Sequence, residues 1–453
     1  MPRRAKTIDL LRVVDLLQAH ITPALCRTVF GTGRRTERQR VWTLEALIRF
    51  WTAVVLRAPK ALTQALADSL AGRDPAYPRV EASPEAFFQR CRDLRPAFFA
   101  EVFQRFTARL VTAVPPRYAA EVAPVRARFA AIVILDGSSL AAIAHRLKLL
   151  WNERAVVLPG CLLGVYDLGR GLCRQLTFSA DAAASEMTRA KAAVVTLARD
   201  TLVLGDRLYG TADFFATLGA QRCWGVVRRN RQLSLHKLQR LRRRRIHGGR
   251  LKDWPVRAGT GVSAPRQLLR YVRWRRGGTR YELLTNVLAP ARLSAEEALD
   301  LYPYRWSVER MFFDLKEVLN LNRLYAANPN AVAMQVYAAA IVYNALRVAQ
   351  SDGAAQVGWA PERLSPAKFF PKVATATYLY LHRQQWEREI RTRYRRLHLR
   401  LVGDRRCWVR TTPAALEVEH RDDPRRTRRF CPARRRWKSL AHVRGGQRFT
   451  KLS

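Results

Sequence analysis

The residues of this 453-residue chain best placed to do chemistry lie in YPYRWSVERMFFDLKEVLNL, from Tyr302 to Leu321. At roughly 100° per residue, Arg305, Glu309 and Lys316 all project within about 60° of Tyr302 on a helix. Val308, Met311, Phe312, Leu315 and Leu319 form a separate apolar stripe, and Ser307, Arg310, Asp314 and Glu317 take the remaining, solvated side. One face therefore packs, one is wet, and one sets a carboxylate between two cations at the edge of the core. Taken alone, that third face is an i, i+4 pair of Arg305 and Glu309 worth only tenths of a kcal/mol. Two further acids sit where ligands of mixed α/β sheets are found, at the ends of strands. Asp136 closes the apolar run in FAAIVILDGSSL, and Asp206 closes the one in TLVLGDRLYG.

The elements that must position these acids are legible from periodicity. Residues 1–128 carry a helical pattern, as in EALIRFWTAVVLRA and SPEAFFQRCRDLRPAFFAEVFQRFTARLV, where Ser83 suits an N-cap and Pro84 the first helical position. The chain then changes to short apolar runs of strand type. FAAIVILD is the first, and CLLGVYDLGRGLCRQLTFS is a hairpin about Leu168-Gly169-Arg170-Gly171. A helix spans about 182–198, TLVLG is a fourth strand, and CWGVVRRN follows a short helix as a fifth. Residues 230–290 read as a β-rich insertion, with RQLLRYVRWRRGGTRYELLTNVL alternating as a hairpin around Gly277-Gly278. AVAMQVYAAAIVYNALRVAQ is apolar on all sides and predicts a buried helix. The segments WEREIRTRYRRLHLRL and RDDPRRTRRFCPARRRWK, the latter with Phe430 and Trp437, make 351–453 a basic C-terminal region suited to DNA contact or multimerisation. The N-terminal helices fit a DNA-binding domain and a packing domain equally.

The spacing Tyr302-x2-Arg305-x3-Glu309-x6-Lys316 resembles the Y-R-E-K signature of DDE transposases of bacterial insertion sequences. LDGSSL and LGDRLYG resemble the first and second acidic motifs of that family, and the likeness extends over about residues 129–346. It implies an α/β fold with a ribonuclease-H-like mixed-sheet core over 129–350, carrying the β-rich insertion. It also implies that Asp136, Asp206 and Glu309 form a metal-binding catalytic triad for two Mg²⁺ ions, for which Mn²⁺ can substitute. Asp136 would bridge both ions, and Asp206 and Glu309 would each bind mainly one. Two such ions activate the attacking oxygen and stabilise the leaving one in phosphodiester cleavage. Arg305 and Lys316 then suit phosphate oxygens, one by a fork and one as a point charge. Tyr302 suits a phosphate or a base, and Arg207 suits the acid beside it or DNA. Trp224 and Trp274 suit stacking on an unpaired base or, as is usual for Trp, core packing.

Composition agrees with a polyanionic partner: the formal net charge is +45 and the pI about 11.4. Double-stranded DNA, at element ends and target, is the expected partner, with a homodimer when two ends are synapsed. Seven scattered cysteines without a C-x-x-C pair predict reduced thiols and no structural zinc. The absence of a signal-peptide core and of a long uninterrupted apolar run predicts a cytoplasmic, nucleoid-associated protein without a membrane span. A ribonuclease-H-like nuclease or resolvase, and a non-catalytic DNA-binding derivative of a transposase, are the rival readings; the Y-R-E-K match favours transposition over the first, and the intact acids argue against simple decay to the second. The tyrosine-recombinase reading fails, because the H-x-x-R at His247–Arg250 contains two glycines. Gly31-Thr32-Gly33 lacks the G-K-[ST] of a phosphate loop.

Overall fold

The N-terminal region is helical, as its periodicity predicts: α1 (Arg12–His20), α2 (Pro23–Gly33), α3 (Leu44–Arg57), α4 (Leu62–Ala71), α5 (Pro84–Asp93) and α6 (Ala97–Ala113). Ser83 caps α5 by accepting from the Ala86 amide, and α6 stops just before Pro115-Pro116. A single turn, α7 (Ala123–Arg126), leads into the sheet. The structure is a computed structural model describing residues 8–38, 40–140, 160–181, 184–238, 242–260 and 266–393. The RDDPRRTRRFCPARRRWK tail, Cys407, Cys431 and most of RTRYRRLHLRL lie outside the described residues.

The sheet begins with β1 (Ala131–Ser139), β2 (Cys161–Asp167) and β3 (Leu172–Ser179), β2 lying between the other two and antiparallel to both. Helix α8 (Glu186–Val195) then crosses to β4 (Thr201–Gly205), which runs parallel to β1, and α9 (Ala212–Ala220) crosses to β5 (Trp224–Arg228), parallel to β4. This mixed α/β core is the fold class expected from the sequence. The β-rich segment supplies β6 (Leu235–Lys237), β7 (Arg242–Ile246), β8 (Gly249–Ala258), β9 (Gln267–Arg276) and β10 (Thr279–Thr285). These strands do not form a separate sheet. They continue the core sheet in the order β3-β2-β1-β4-β5-β10-β9-β8-β6, with β7 paired to β8. The join is β10 on β5, and the expected β9–β10 hairpin turns at Gly277-Gly278.

Helix α10 (Ala295–Leu301) starts with a capping box between Ser294 and Glu297. The chain then winds as a 3-10 turn (Tyr302–Arg305), α11 (Trp306–Phe313) and a π turn (Asp314–Val318). The single regular helix predicted from Tyr302 to Leu321 is therefore corrected. Pro303 has no amide proton to give an α-type bond, which suits the tighter turn before α11. A projection at constant pitch fails across a tight turn and a wide one. The apolar stripe Val308, Met311, Phe312, Leu315 and Leu319 is buried as predicted, but Asp314, placed on the wet side, is only 1% exposed. Helix α11 packs on β1 and β2, and Gly164 of β2 lets it come close: a Cβ there would stand 2.8 Å from Met311 Cε and 3.0 Å from Phe312 Cζ.

Helix α12 (Pro329–Val357) has the length and composition to cross a bilayer, yet protein surrounds it, and it is a core helix. The apolar core that includes it runs without a break from Ile8 to Ala376, so α1, α3 and α6 share it with the sheet. Its polar side chains are tied in. Asn344, fully buried, accepts from the Cys173 amide and donates to the Cys173 carbonyl and to Thr107 Oγ1, which pins β3 and α6 to the helix. Helix α13 (Pro366–Arg393) follows. The five described cysteines are free and buried.

Candidate catalytic site

Asp136 is not the last residue of its strand, as the apolar run predicted: β1 continues to Ser139, because Gly137, Ser138 and Ser139 pair with Leu163, Leu162 and Cys161 of β2. What ends near Asp136 is the parallel pairing. The last β1–β4 pair is Ile134 with Leu204, so Asp136 and Asp206 lie level, two residues beyond it on adjacent strands. Asp206 follows β4 directly and caps a 3-10 turn (Arg207–Tyr209), accepting from the Arg207 amide. Both acids are thereby fixed by rigid backbone where the two parallel strands part.

Glu309 reaches the same place from α11, and Arg305 makes the connection. Its Nη1 donates to Asp136 Oδ2 at 3.2 Å, and its Nη2 lies 2.8 Å from Glu309 Oε1. The Arg305 side chain is 9% exposed, against 16% for Asp136 and 38% for Glu309. Burial pushes Asp136 up to about 7; Arg305 opposes this, while Glu309 and Glu186 add to it. Glu309 is raised by burial and by Asp206, again against Arg305. Burial disfavours charge on Arg305, but Tyr302, Glu309, Asp136 and Asp206 together hold it above its ordinary value. The site is an electronegative cluster with one permanent cation in its middle.

The other residues singled out from the signature are engaged by the protein itself. Tyr302 is 8% exposed and donates to the Gly205 carbonyl, the residue before Asp206, at 3.3 Å. Lys316 donates to Ser138 Oγ and to the Ser139 carbonyl, both at 2.7 Å, so it grips the end of the strand bearing Asp136. Arg207 is exposed beside Asp206. Trp224 donates to Asp200 Oδ1 at 2.7 Å under the Arg292 guanidinium, and Trp274 donates to the Ile246 carbonyl at 3.0 Å. Both indoles are partly buried and pack against the core.

Two residues were missed from the sequence. Glu186 opens α8 behind its Ser185 N-cap, and buried Tyr209 donates to Glu186 Oε1 at 2.6 Å. The only signal for Tyr209 was its place inside LGDRLYG, three residues after the acid.

Asp136, Asp206 and Glu309 offer oxygen donors alone, the set preferred by a hard divalent cation, and a guanidinium already sits between two of them. In kind the residues fit such an ion. Among the described residues, no three His, Cys, Asp or Glu side chains converge as a finished cation cage.

Residues 160–345 match the family described as transposase DDE domain. Over that stretch the chain is similar to a transposase DDE domain. The matched stretch holds β2 through most of α12, including Asp206 and Glu309, and begins after Asp136. A probable transposase for insertion sequence element IS5377 of Geobacillus stearothermophilus is 30% identical over 155 residues, 34% of this chain and 40% of that protein. A putative transposase for insertion sequence element IS4SA of Synechocystis is 35% identical over 72 residues, 15% of this chain and 21% of that one. The chain thus spans less than half the length of either curated relative. A cryo-EM structure of a piggyBac transposase synaptic complex with hairpin DNA overlaps 96% of the chain and 94% of its own at 10% identity; its TM-score of 0.35 carries no argument. DDE domains of this family generally work with divalent metal ions.

Proposed function

We propose that this chain is a DNA transposase that cleaves phosphodiester bonds at the ends of an insertion sequence and joins the freed 3′-hydroxyls to target DNA. The observation carrying this reading is the Arg305 fork, which joins strand-borne Asp136 to helix-borne Glu309 in a chain similar over residues 160–345 to a transposase DDE domain. Asp136, Asp206 and Glu309 would hold a divalent cation such as Mg²⁺, replaceable by Mn²⁺. Such ions supply the activation of the attacking oxygen and neutralise charge on the leaving one.

The chain's own residues do the rest. Tyr302 and Lys316 brace the two strand segments bearing the aspartates, through Gly205 and Ser138-Ser139. Arg305 holds Asp136 and Glu309 at a fixed separation, and its charge is available to a phosphate oxygen drawn to the same spot. Exposed Arg207 is suited to the DNA backbone beside Asp206, and the net charge of +45 to a double-stranded polyanion. A homodimer on paired ends follows from the need to act on two ends together.

The test is Mg²⁺-dependent cleavage of cognate end DNA by the full chain and by Asp136→Ala, Asp206→Ala and Glu309→Ala. Loss of cleavage in all three is expected, and wild-type cutting by any one removes that residue from the triad. Cleavage without joining to a second duplex would mark a nuclease, and binding without cleavage a non-catalytic derivative.

A further inference from the structure

The two faces of the sheet carry different chemistry. Ile134 and Asp136 project to the side packed by α11 and α12, whereas Leu135, Val203 and Tyr271 project to the side packed by α8 and α9. On that second side, Val256, Leu269 and Tyr271 of the sheet's extension are buried with Phe215 and Leu218 of α9. Further along the same strands the side chains become basic and reach solvent. Lys252 pairs with Arg273, and one row outward, about 7 Å along the strands, Arg250 pairs with Arg275, which faces Arg280 of β10. Arg250, Arg275 and Arg280 are exposed, and β7 sets exposed Arg245 opposite Arg250.

These cations are held in place without being neutralised. Lys237 Nζ, Lys252 Nζ and the Arg273 guanidinium stand 5.3, 5.9 and 5.2 Å from the centre of the Trp254 indole, which stacks at 5.6 Å on Tyr271. An indole steadies cations but brings no net charge. Glu282 is the only acid among the described strand residues of this face, and its Oε1 already accepts from Tyr271, Arg280 and Arg229. Arg250, Arg273 and Arg275 have no carboxylate partner among the described residues. Burial lowers Arg273 from its ordinary value, and the charges of Arg280, Arg275 and Arg229 lower it further. Repulsion of this kind is relieved by a polyanion. Guanidinium forks spread over a sheet face meet phosphate oxygens rather than base edges deep in a groove.

We propose that this basic face of β7–β10 binds the backbone of double-stranded DNA, without sequence preference, at a place separate from the acids on the other side of the sheet. The choice of DNA as the polyanion rests on the transposase reading above. The test is fluorescence anisotropy of a labelled random-sequence duplex titrated with the full chain in EDTA, at salt from about 50 to 200 mM. Arg250→Gln, Arg275→Gln and Arg280→Gln together should weaken binding at least about tenfold and flatten the salt dependence by about 2–3 in log–log slope. A control with Arg79→Gln, Lys368→Gln and Lys372→Gln, which removes the same charge from exposed positions elsewhere, should stay near wild type. Thermal unfolding checks the fold, and Arg250→Gln with Arg275→Gln replaces the triple variant if that unfolds. Affinity and slope equal to those of the control overturn the proposal, as does a loss confined to single-stranded DNA. The loss should be the same in EDTA and in Mg²⁺, and a loss seen only with Mg²⁺ would put these arginines at the metal-dependent site and overturn the separation. Failure of the wild type to cleave end DNA, with duplex binding still lost in the triple variant, would remove the transposase reading and leave this face standing.

Discussion

Arg305 Nη1 stands 3.2 Å from Asp136 Oδ2, so a side chain from the 3-10 turn before α11 is joined to the middle strand of the α/β core. The same guanidinium takes Glu309 at 2.8 Å and so occupies carboxylate oxygens that a divalent cation would use. Arg305→Gln removes both that competition and about one unit charge of repulsion toward a cation. The variant should bind Mn²⁺ several-fold more tightly at pH 8 and yet cleave DNA at least about tenfold more slowly, because the two acids lose their common clamp. Calorimetry and a cleavage assay read the two effects separately. Weaker Mn²⁺ binding in the variant would mean that the clamp matters more to the acids' convergence than the repulsion does.

Lys316 should act on the strand rather than on solvent. Its ammonium donates to Ser138 Oγ and the Ser139 carbonyl at 2.7 Å, and charge-assisted bonds of this kind are worth about 1.5–3 kcal/mol each before screening. Lys316→Met should therefore speed amide exchange in residues 136–140 by about tenfold or more, with or without DNA. Unchanged exchange there, measured by hydrogen–deuterium mass spectrometry, would free Lys316 for a role toward phosphate alone.

Much of this arrangement could be read in the sequence because each signal was local. The β2–β3 and β9–β10 hairpins announced themselves by glycine turns between alternating runs, and α12 by having no polar face. The positions of Asp136, Asp206, Arg305 and Glu309 followed from motif spacing, and the structure brings Asp136, Arg305 and Glu309 into contact. What stayed hidden depended on partners distant in sequence. Gly137-Ser138-Ser139 look like a turn after an acid, but β2 captures them as strand. Nothing within β10 says that it will pair with β5 and make the insertion a continuation of the core sheet. Glu186 meets Gly137 and Tyr209 only once α8 has crossed from β3 to β4, and no helical period encodes that meeting.

The extension of the sheet should depend on one buried pair. Arg270 of β9 and Asp253 of β8 are each 1% exposed and joined at 2.7 Å, and Arg270 also donates to the carbonyls of Val287 and Leu293 after β10. Removing one partner leaves an uncompensated buried charge, at a cost of about 3–5 kcal/mol. Asp253→Ala should therefore destabilise the chain by roughly that amount in denaturant unfolding. Replacing both together, by Asp253→Leu with Arg270→Met, should recover part of the loss. A single variant as stable as wild type would show that Arg270 is satisfied by the carbonyls alone.

Asp314 should give the protein a pH-dependent weakness unrelated to catalysis. It is 1% exposed at the start of the π turn, and neither carboxylate oxygen has a hydrogen-bond partner among the described residues. Burial pushes it up to about 6, against the pull of Arg347 and Arg310. The folded state therefore holds this proton more tightly than the unfolded chain, whose Asp titrates near 3.8. At pH 3 both states are protonated and nothing is lost. Between about 4 and about 6 the unfolded chain gives up the proton first, so stability falls as pH rises, and above the folded value the penalty is constant. A rise from 3.8 to about 6 corresponds to about 3 kcal/mol, an upper figure because charged Arg347 and Arg310 adjust to any change at this site. Asp314→Asn cannot titrate. Its stability relative to wild type should rise across that window and level off above it, as measured by thermal unfolding at a series of pH values. A difference that stays flat from pH 4 to pH 7 would mean that Asp314 ionises normally in the fold and that Arg347 and Arg310 fully offset its burial.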